Sequence, residues 1–359
     1  MEHVGGRSPN LYPCFFSIAG LTVTIKQRQN DPVKKLKVGK GKQGGVTLVE
    51  LLIAMTLGLF LIAGVVEVLI ISRVSYSNQD ALSELQENSR FAMDFITRDL
   101  RAAGYAGCSQ VGTYDINTTV SNYNYSRKEA IQGYENTGGA AWDPSVLPAT
   151  GGSITGLAGD SDVVSIRSAG QCGAVLTADT SPGTSSMSLD NTCGFDSGDV
   201  VMIADCENVD IFQVTSASTT TVGHPPLNNT YRISTGGELR SFVYNSYYIA
   251  NDNGTPSLYL RDNLTGTANA LVPGVENLQV EFGVAAGSDG LPNSYKTAKE
   301  VSDNNEWDWV VAVRLTLLMR TVENVGAPEY EFQTVEPAYP EGPLRKEFTS
   351  VIQLRNLRM

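Results

Sequence analysis

An unbroken apolar run from Val46 to Ile71 decides most of what this chain can become. Only Thr47, Glu50, Thr56, Gly58, Gly64 and Glu67 interrupt its aliphatic, Met and Phe residues. Wound as an α-helix at about 1.5 Å per residue, the run reaches roughly 39 Å, more than a hydrocarbon core of about 30 Å. Lys34, Lys35, Lys37, Lys40 and Lys42 crowd its N-terminal side, and acidic residues dominate beyond it. That asymmetry predicts a single-pass protein with its N-terminus in the cytoplasm and its C-terminus outside.

A secretory signal is cut after its apolar segment, beside small residues. Here the small pair, Gly44-Gly45, comes before that segment. Lys42-Gln43-Gly44-Gly45, then Val46-Thr47-Leu48-Val49-Glu50, then the apolar helix closely resemble the class III signal of type IV prepilins and pseudopilins. The resemblance implies cleavage between Gly45 and Val46 by a prepilin peptidase, N-methylation of Val46, and retention of the helix. Glu50 then becomes the fifth mature residue and the carboxylate on which subunit assembly turns. Val46 stands where the family usually has Phe or Met.

The rival is a simple membrane anchor with a stray carboxylate. An acidic residue at the centre of a span costs about 2.5–3.5 kcal/mol, and less near the interface, so Glu50 needs a partner. Cleavage creates one by leaving a positive amine on Val46, presented either by the same chain, one helical turn away, or by an adjacent subunit. The resemblance favours the neighbour. Glu67 reads as lying at the periplasmic interface. Gly58 and Gly64, each costing about 1 kcal/mol against Ala in a helix, allow local unwinding.

Upstream, the patch from Cys14 to Val23 is too short to span a membrane. A start at Val33 would leave a compact basic leader ending at Gly45; a long leader from Met1 is the alternative. Removing residues 1–45 leaves 26 − 8 = 18 Lys and Arg against 38 − 2 = 36 Asp and Glu, a net charge of −18. A surface this acidic argues against nucleic-acid binding and favours an exported head.

Cys14 leaves with the leader, so Cys108, Cys172, Cys193 and Cys206 remain, an even number that reads as two disulfides. Four cysteines permit three connectivities. Ser181-Pro182-Gly183-Thr184 is a turn centred at (172 + 193)/2 = 182.5, and a hairpin folded there sets Cys172 opposite Cys193. Cys108 then joins Cys206. A zinc cluster is the rival, against which stand the missing C-x-x-C pair and the single mature histidine, His224.

After Ile71 the pattern turns amphipathic without a breaker. Leu82, Leu85, Ala92, Phe95, Ile96, Leu100 and Ala103 recur at spacings of three and four, leaving Glu84, Glu87, Asp94 and Arg98 outward. Phe91, Met93 and Phe95 read as core packing and not as a ligand box. Gly104 and Gly107 supply the helix stop. Residues 109–160 lack steady periodicity. Strands are expected over Asp162–Arg167, Asp199–Ala204, Asp210–Thr215, Leu239–Ile249 and Ser257–Leu260, with Asn251-Asp252-Asn253-Gly254 as a hairpin turn. Val275–Phe282, Trp309–Leu317 and Phe348–Asn356 complete the set.

Pro273-Gly274-Val275-Glu276-Asn277-Leu278-Gln279-Val280, Val313-Arg314-Leu315-Thr316-Leu317-Leu318 and Val351-Ile352-Gln353-Leu354-Arg355-Asn356 resemble PilW-type minor pilins, as does Glu87-Asn88-Ser89-Arg90-Phe91-Ala92. The fold class expected is α+β and type IV pilin-like: a long N-terminal helix on an antiparallel β head with loop-rich insertions. Its divisions are a leader at 1–45, a transmembrane half-helix at 46–71, an amphipathic half at 72–106 and a periplasmic head at 107–359. The resemblance implies a minor pilin that helps initiate type IV pilus assembly, at the tip with other minor pilins. Its partners would be the major pilin and the inner-membrane assembly platform, and it needs no cofactor. A minor pseudopilin of a type II secretion system is the nearest alternative; a tethered periplasmic enzyme or an adhesin belongs to another class.

Catalytic chemistry is not written in recognisable spacing. His224 sits in the turn Gly223-His224-Pro225-Pro226, and Gly-x-Ser-x-Gly is missing. Gly287-Ser288-Asp289-Gly290 and Asp303-Asn304-Asn305-Glu306 carry calcium-type oxygens without EF-hand spacing, and read as solvated turns. Intact-mass analysis of the membrane form should find a chain that begins at Val46, carries one added methyl group and retains the helix. A mature chain starting elsewhere would break this reading at its root.

Overall fold

The computed structural model describes residues 45–108, 116–118, 127–138, 141–144, 154–285, 287, 290–322 and 343–357; the leader through Gly44 and the candidate start at Val33 lie outside the described residues. The chain divides into two units, Met1–Ile62 and Ala63–Met359. One helix, α1, Leu48–Ala102, begins in the first and ends in the second. Its most apolar stretch has a mean hydropathy of 2.5 and none of it is buried, so by length and composition it can cross a membrane.

Among the described residues sixteen strands follow. They are β1 Ile116–Thr118, β2 Ile131–Gly138, β3 Ala141–Asp143, β4 Val163–Val175, β5 Ser186–Ser188, β6 Val200–Ala204, β7 Val209–Gln213 and β8 Ser216–Ala217. Then come β9 Thr221–Gly223, β10 Glu238–Asp252, β11 Thr255–Asp262, β12 Ala268–Pro273, β13 Val275–Val284, β14 Ser294–Lys296, β15 Val310–Arg320 and β16 Arg345–Gln353. A nine-stranded sheet runs β1-β7-β6-β10-β4-β2-β3, with β11 and β12 added beside β10. A four-stranded sheet runs β14-β13-β15-β16, and a small one runs β5-β9-β8. Every pairing is antiparallel except β1 with β7.

The second half of α1 packs by the pattern its sequence carries. Leu85, Ala92, Ile96, Leu100 and Ala103 are buried with the inward residues of the two larger sheets, while Leu82 and Phe95 are half-buried. Ser89 is buried too, its hydroxyl donating to the carbonyl of Gln86. Phe91 departs from the expected core: it is 52% exposed, because it lies about 100° around the helix from Ala92. Asp99, a carboxylate in the unfavourable last turn, accepts hydrogen bonds from the Tyr247 hydroxyl at 2.8 Å and Asn245 Nδ2 at 3.3 Å.

The helix ends where the glycines allow. Gly104, at φ 73°, donates its N–H to the carbonyl of Arg167. A Cβ there would stand 2.5 Å from Leu357 Cδ2. Asn356 Nδ2 reaches the carbonyls of Arg101 and Ala103, each at 3.2 Å, so the last described residues of the chain close groups that the helix leaves open. The β10–β11 turn has positive φ at both Asn253 and Gly254, the type I′ geometry of a two-residue hairpin.

Asp160–Asp162 fastens the four-stranded sheet to β4. Asp162 accepts from Val280 N at 2.9 Å and Asn136 N at 3.1 Å, and Ser161 exchanges hydrogen bonds with Leu278. Burial pushes the Asp162 carboxyl up to about 6; the two backbone N–H groups oppose the rise, and the charge of Glu135 adds to it. The unfolded value is the ordinary 3.8, so this group favours the fold most below that pH, and the gain is lost as pH climbs toward 6. The stability difference between wild type and Asp162→Asn should therefore fall by about 2–3 kcal/mol between pH 4 and pH 6 and stay level above pH 7. Urea unfolding at stepped pH measures it, and a difference level throughout would mean that this carboxyl ionises normally.

Candidate functional site

Gly45, Val46 and Thr47 precede the helix and are exposed, as are Leu48 and Glu50. Thr47 N and Thr47 Oγ1 both lie 3.3 Å from Glu50 Oε2, and Glu50 N donates to Thr47 Oγ1 at 3.3 Å. These reciprocal bonds form a capping box, with Thr47 as N-cap and Glu50 three residues on. The carboxylate lies in the first turn, where the positive end of the helix dipole favours it. Sequence reasoning sought a cationic partner for Glu50 and passed over a neutral one in the same turn. The signal was present as Thr-x-x-Glu directly ahead of an apolar run.

Gly58 and Gly64 lie within α1, and a Cβ on either would meet nothing within 4 Å. Among the described residues no close approach calls for glycine at these positions. From Leu48 to Ile71 the large apolar side chains stand exposed, Phe60 by 79% and Leu48 by 76%. A helix with an apolar surface all round belongs in lipid or among other helices.

Two disulfides brace the head. Cys108 is bonded to Cys206 across 98 positions, with Cα atoms 5.0 Å apart, and joins the chain just after α1 to the β6–β7 turn. Cys172, on β4, is bonded to Cys193 with Cα atoms 6.0 Å apart. Leu176 bridges Leu189 antiparallel, and Thr184 N closes a turn on Ser181 O.

The remaining candidates have structural duties. His224 is buried against Phe212, with Nδ1 2.8 Å from the carbonyl of Pro225, and no serine hydroxyl or carboxylate bonds its ring among the described residues. Asp303–Glu306 ends the short helix α2, Ala298–Asp303: Asn304 caps it, and Glu306 pairs with Lys296 at 2.6 Å. Within Gly287–Gly290, Ser288 and Asp289 lie outside the described residues. Among the described residues no group of three or more His, Cys, Asp or Glu is placed to hold a metal ion. Asp210, on β7 of the nine-stranded sheet, and Tyr231 are both buried, and burial raises both pKa values, with each group also interacting with the other.

Against this geometry, the family described as type IV pilus-assembly protein W matches residues 246–356, from within β10 to just past β16. The prokaryotic N-terminal methylation motif matches residues 40–66, across Gly45, Val46 and Glu50. No curated protein and no solved structure matches the chain. Replacing both Cys108 and Cys206 by Ser should lower stability to denaturant by about 2–5 kcal/mol, since their bond closes a long loop. A loss below about 1 kcal/mol would mean that this bond does little for the fold.

Proposed function

We propose that this chain, a type IV pilin of the PilW type, serves as a minor subunit that helps initiate pilus assembly, placed with other minor pilins in a tip or priming complex. Residues 1–45 are its leader, removed by a prepilin peptidase between Gly45 and Val46. Residues 46–71 hold it in the inner membrane, and 72–106 form the amphipathic half of the stalk. The head, 107–359, lies in the periplasm. Other minor pilins, the major pilin and the assembly platform are its partners.

The observation that supports this most is Glu50 itself, a carboxylate held in the first turn of an exposed apolar helix, five residues from a Gly-Gly pair. In the single chain Thr47 satisfies it at little electrostatic cost. Cleavage gives Val46 a positive amine, and a neighbour's amine offers a charged partner, which in a low dielectric is worth more than a neutral hydroxyl. The carboxylate thus sets the axial register between helices, while Thr47 keeps the waiting subunit from carrying an unpaired charge.

Glu50→Ala should still be inserted and cleaved, yet fall to a small fraction of the wild-type level in sheared pili and in complexes with other minor pilins. Glu67→Gln should have a milder effect. Immunoblots of membranes and sheared fibres read both. If Glu50→Ala enters pili at the wild-type level with normal pilus number, the role assigned here to the carboxylate is wrong.

A further inference from the structure

Strand β16 forms one edge of the four-stranded sheet, and its other side is unpaired among the described residues. Its register with β15 is unbroken from Ala312↔Gln353 to Arg320↔Arg345. Leu354 N donates to Val311 O and Thr321 N to Leu344 O, which fixes the alternation along the ladder. The even-numbered residues of β16 therefore bond to β15, and the backbone N–H and C=O groups of Glu347, Thr349, Val351 and Gln353 point away from it. The same four side chains are exposed, Val351 by 55%.

Proteins blunt such edges with short strands, bulges, proline or charge. The other edges follow that rule. β1, β3, β5 and β14 have three residues each and β8 has two, while β12 carries a register shift and ends in Pro273. From Phe348 to Gln353 β16 has no charge, proline, glycine or bulge. Its position is also fixed, because Asn356, just beyond it, is bonded to the end of α1.

We propose that the free edge of β16 receives an extended strand from the head of a different pilin subunit, which continues the four-stranded sheet across the subunit boundary. This rests on the pilin role above. Main-chain bonds to Glu347, Thr349, Val351 and Gln353 would hold the incoming strand. Charge selects its chemistry: Lys346 and Arg355 flank the edge, both exposed and neither in an ion pair among the described residues. The incoming segment carries carboxylates toward both ends. A second copy of β16 fits less well, since it offers one carboxylate, Glu347, against the flanking Lys346 and Arg355 of each copy.

Val351→Pro removes one outward N–H and leaves the ladder to β15 intact. In cells making the full-length chain, this variant should reach wild-type abundance in the membrane yet less than a tenth of the wild-type level in sheared pili, with Val351→Ala entering normally. A photo-crosslinking phenylalanine at Thr349 should join the chain to another pilin subunit. Val351→Pro entering at the wild-type level overturns the proposal, as does a Thr349 crosslink confined to the same chain, to a second copy, or absent. Should Val351→Pro fail to accumulate, the crosslink alone decides. Wild-type chain missing from pili and from minor-pilin complexes sinks the pilin role itself, whereas loss of the edge contact alone leaves that role standing.

Discussion

The carbonyls left open at the end of α1 are the constraint to which the rest of the head answers. A helix terminus exposes groups that must find donors, and here the donors come from the far end of the chain, through the side chain of Asn356. Leu357 packs against Gly104, where any larger residue would collide. The contact joins positions about 255 residues apart, so the end of α1 is closed only once the chain has been made through Asn356. Stalk and head thereby become one cooperative object around a shared core.

Where one physical rule dominates, the fold was legible in the sequence. Continuous apolarity marked the helix, spacings of three and four marked its buried stripe, and alternation marked β13 and β15. Asn-Gly marked the tight hairpin. The strand expected at Asp162–Arg167 runs on to Val175, because its largely exposed, Gly- and Ala-rich C-terminal half is held by pairing with β10 and not by burial. The short strands β5, β8 and β9 went unread, since two or three residues carry no period; their small core is assembled from Met187, Val222 and other distant residues. β2 was hidden among the Gly, Asn and Tyr of an unpatterned stretch.

At the helix start the same limit had a different cause. A carboxylate beside an apolar span is costly, and that cost alone points to a charge as its partner. Thr47 supplies a hydroxyl and a backbone N–H instead, at hydrogen-bonding distance and within one turn. A neutral partner makes the carboxylate tolerable in a lone subunit without committing it. The bonds are long, 3.3 Å each, and the residues that make them are exposed, so the box caps the helix without burying Glu50.

The bond between Cys108 and Cys206 has a mechanical meaning as well. Followed along the backbone alone, the path from α1 meets Cys108 six residues beyond the last helical turn at Ala102. There the covalent path splits, and the shorter branch passes through sulfur to Cys206 and into β7. The 97 residues between the two cysteines form a closed loop on that branch. β2, β4 and β6 thus lie inside a covalently closed loop that a pull on the backbone outside it cannot lengthen, and the shorter path continues into β7.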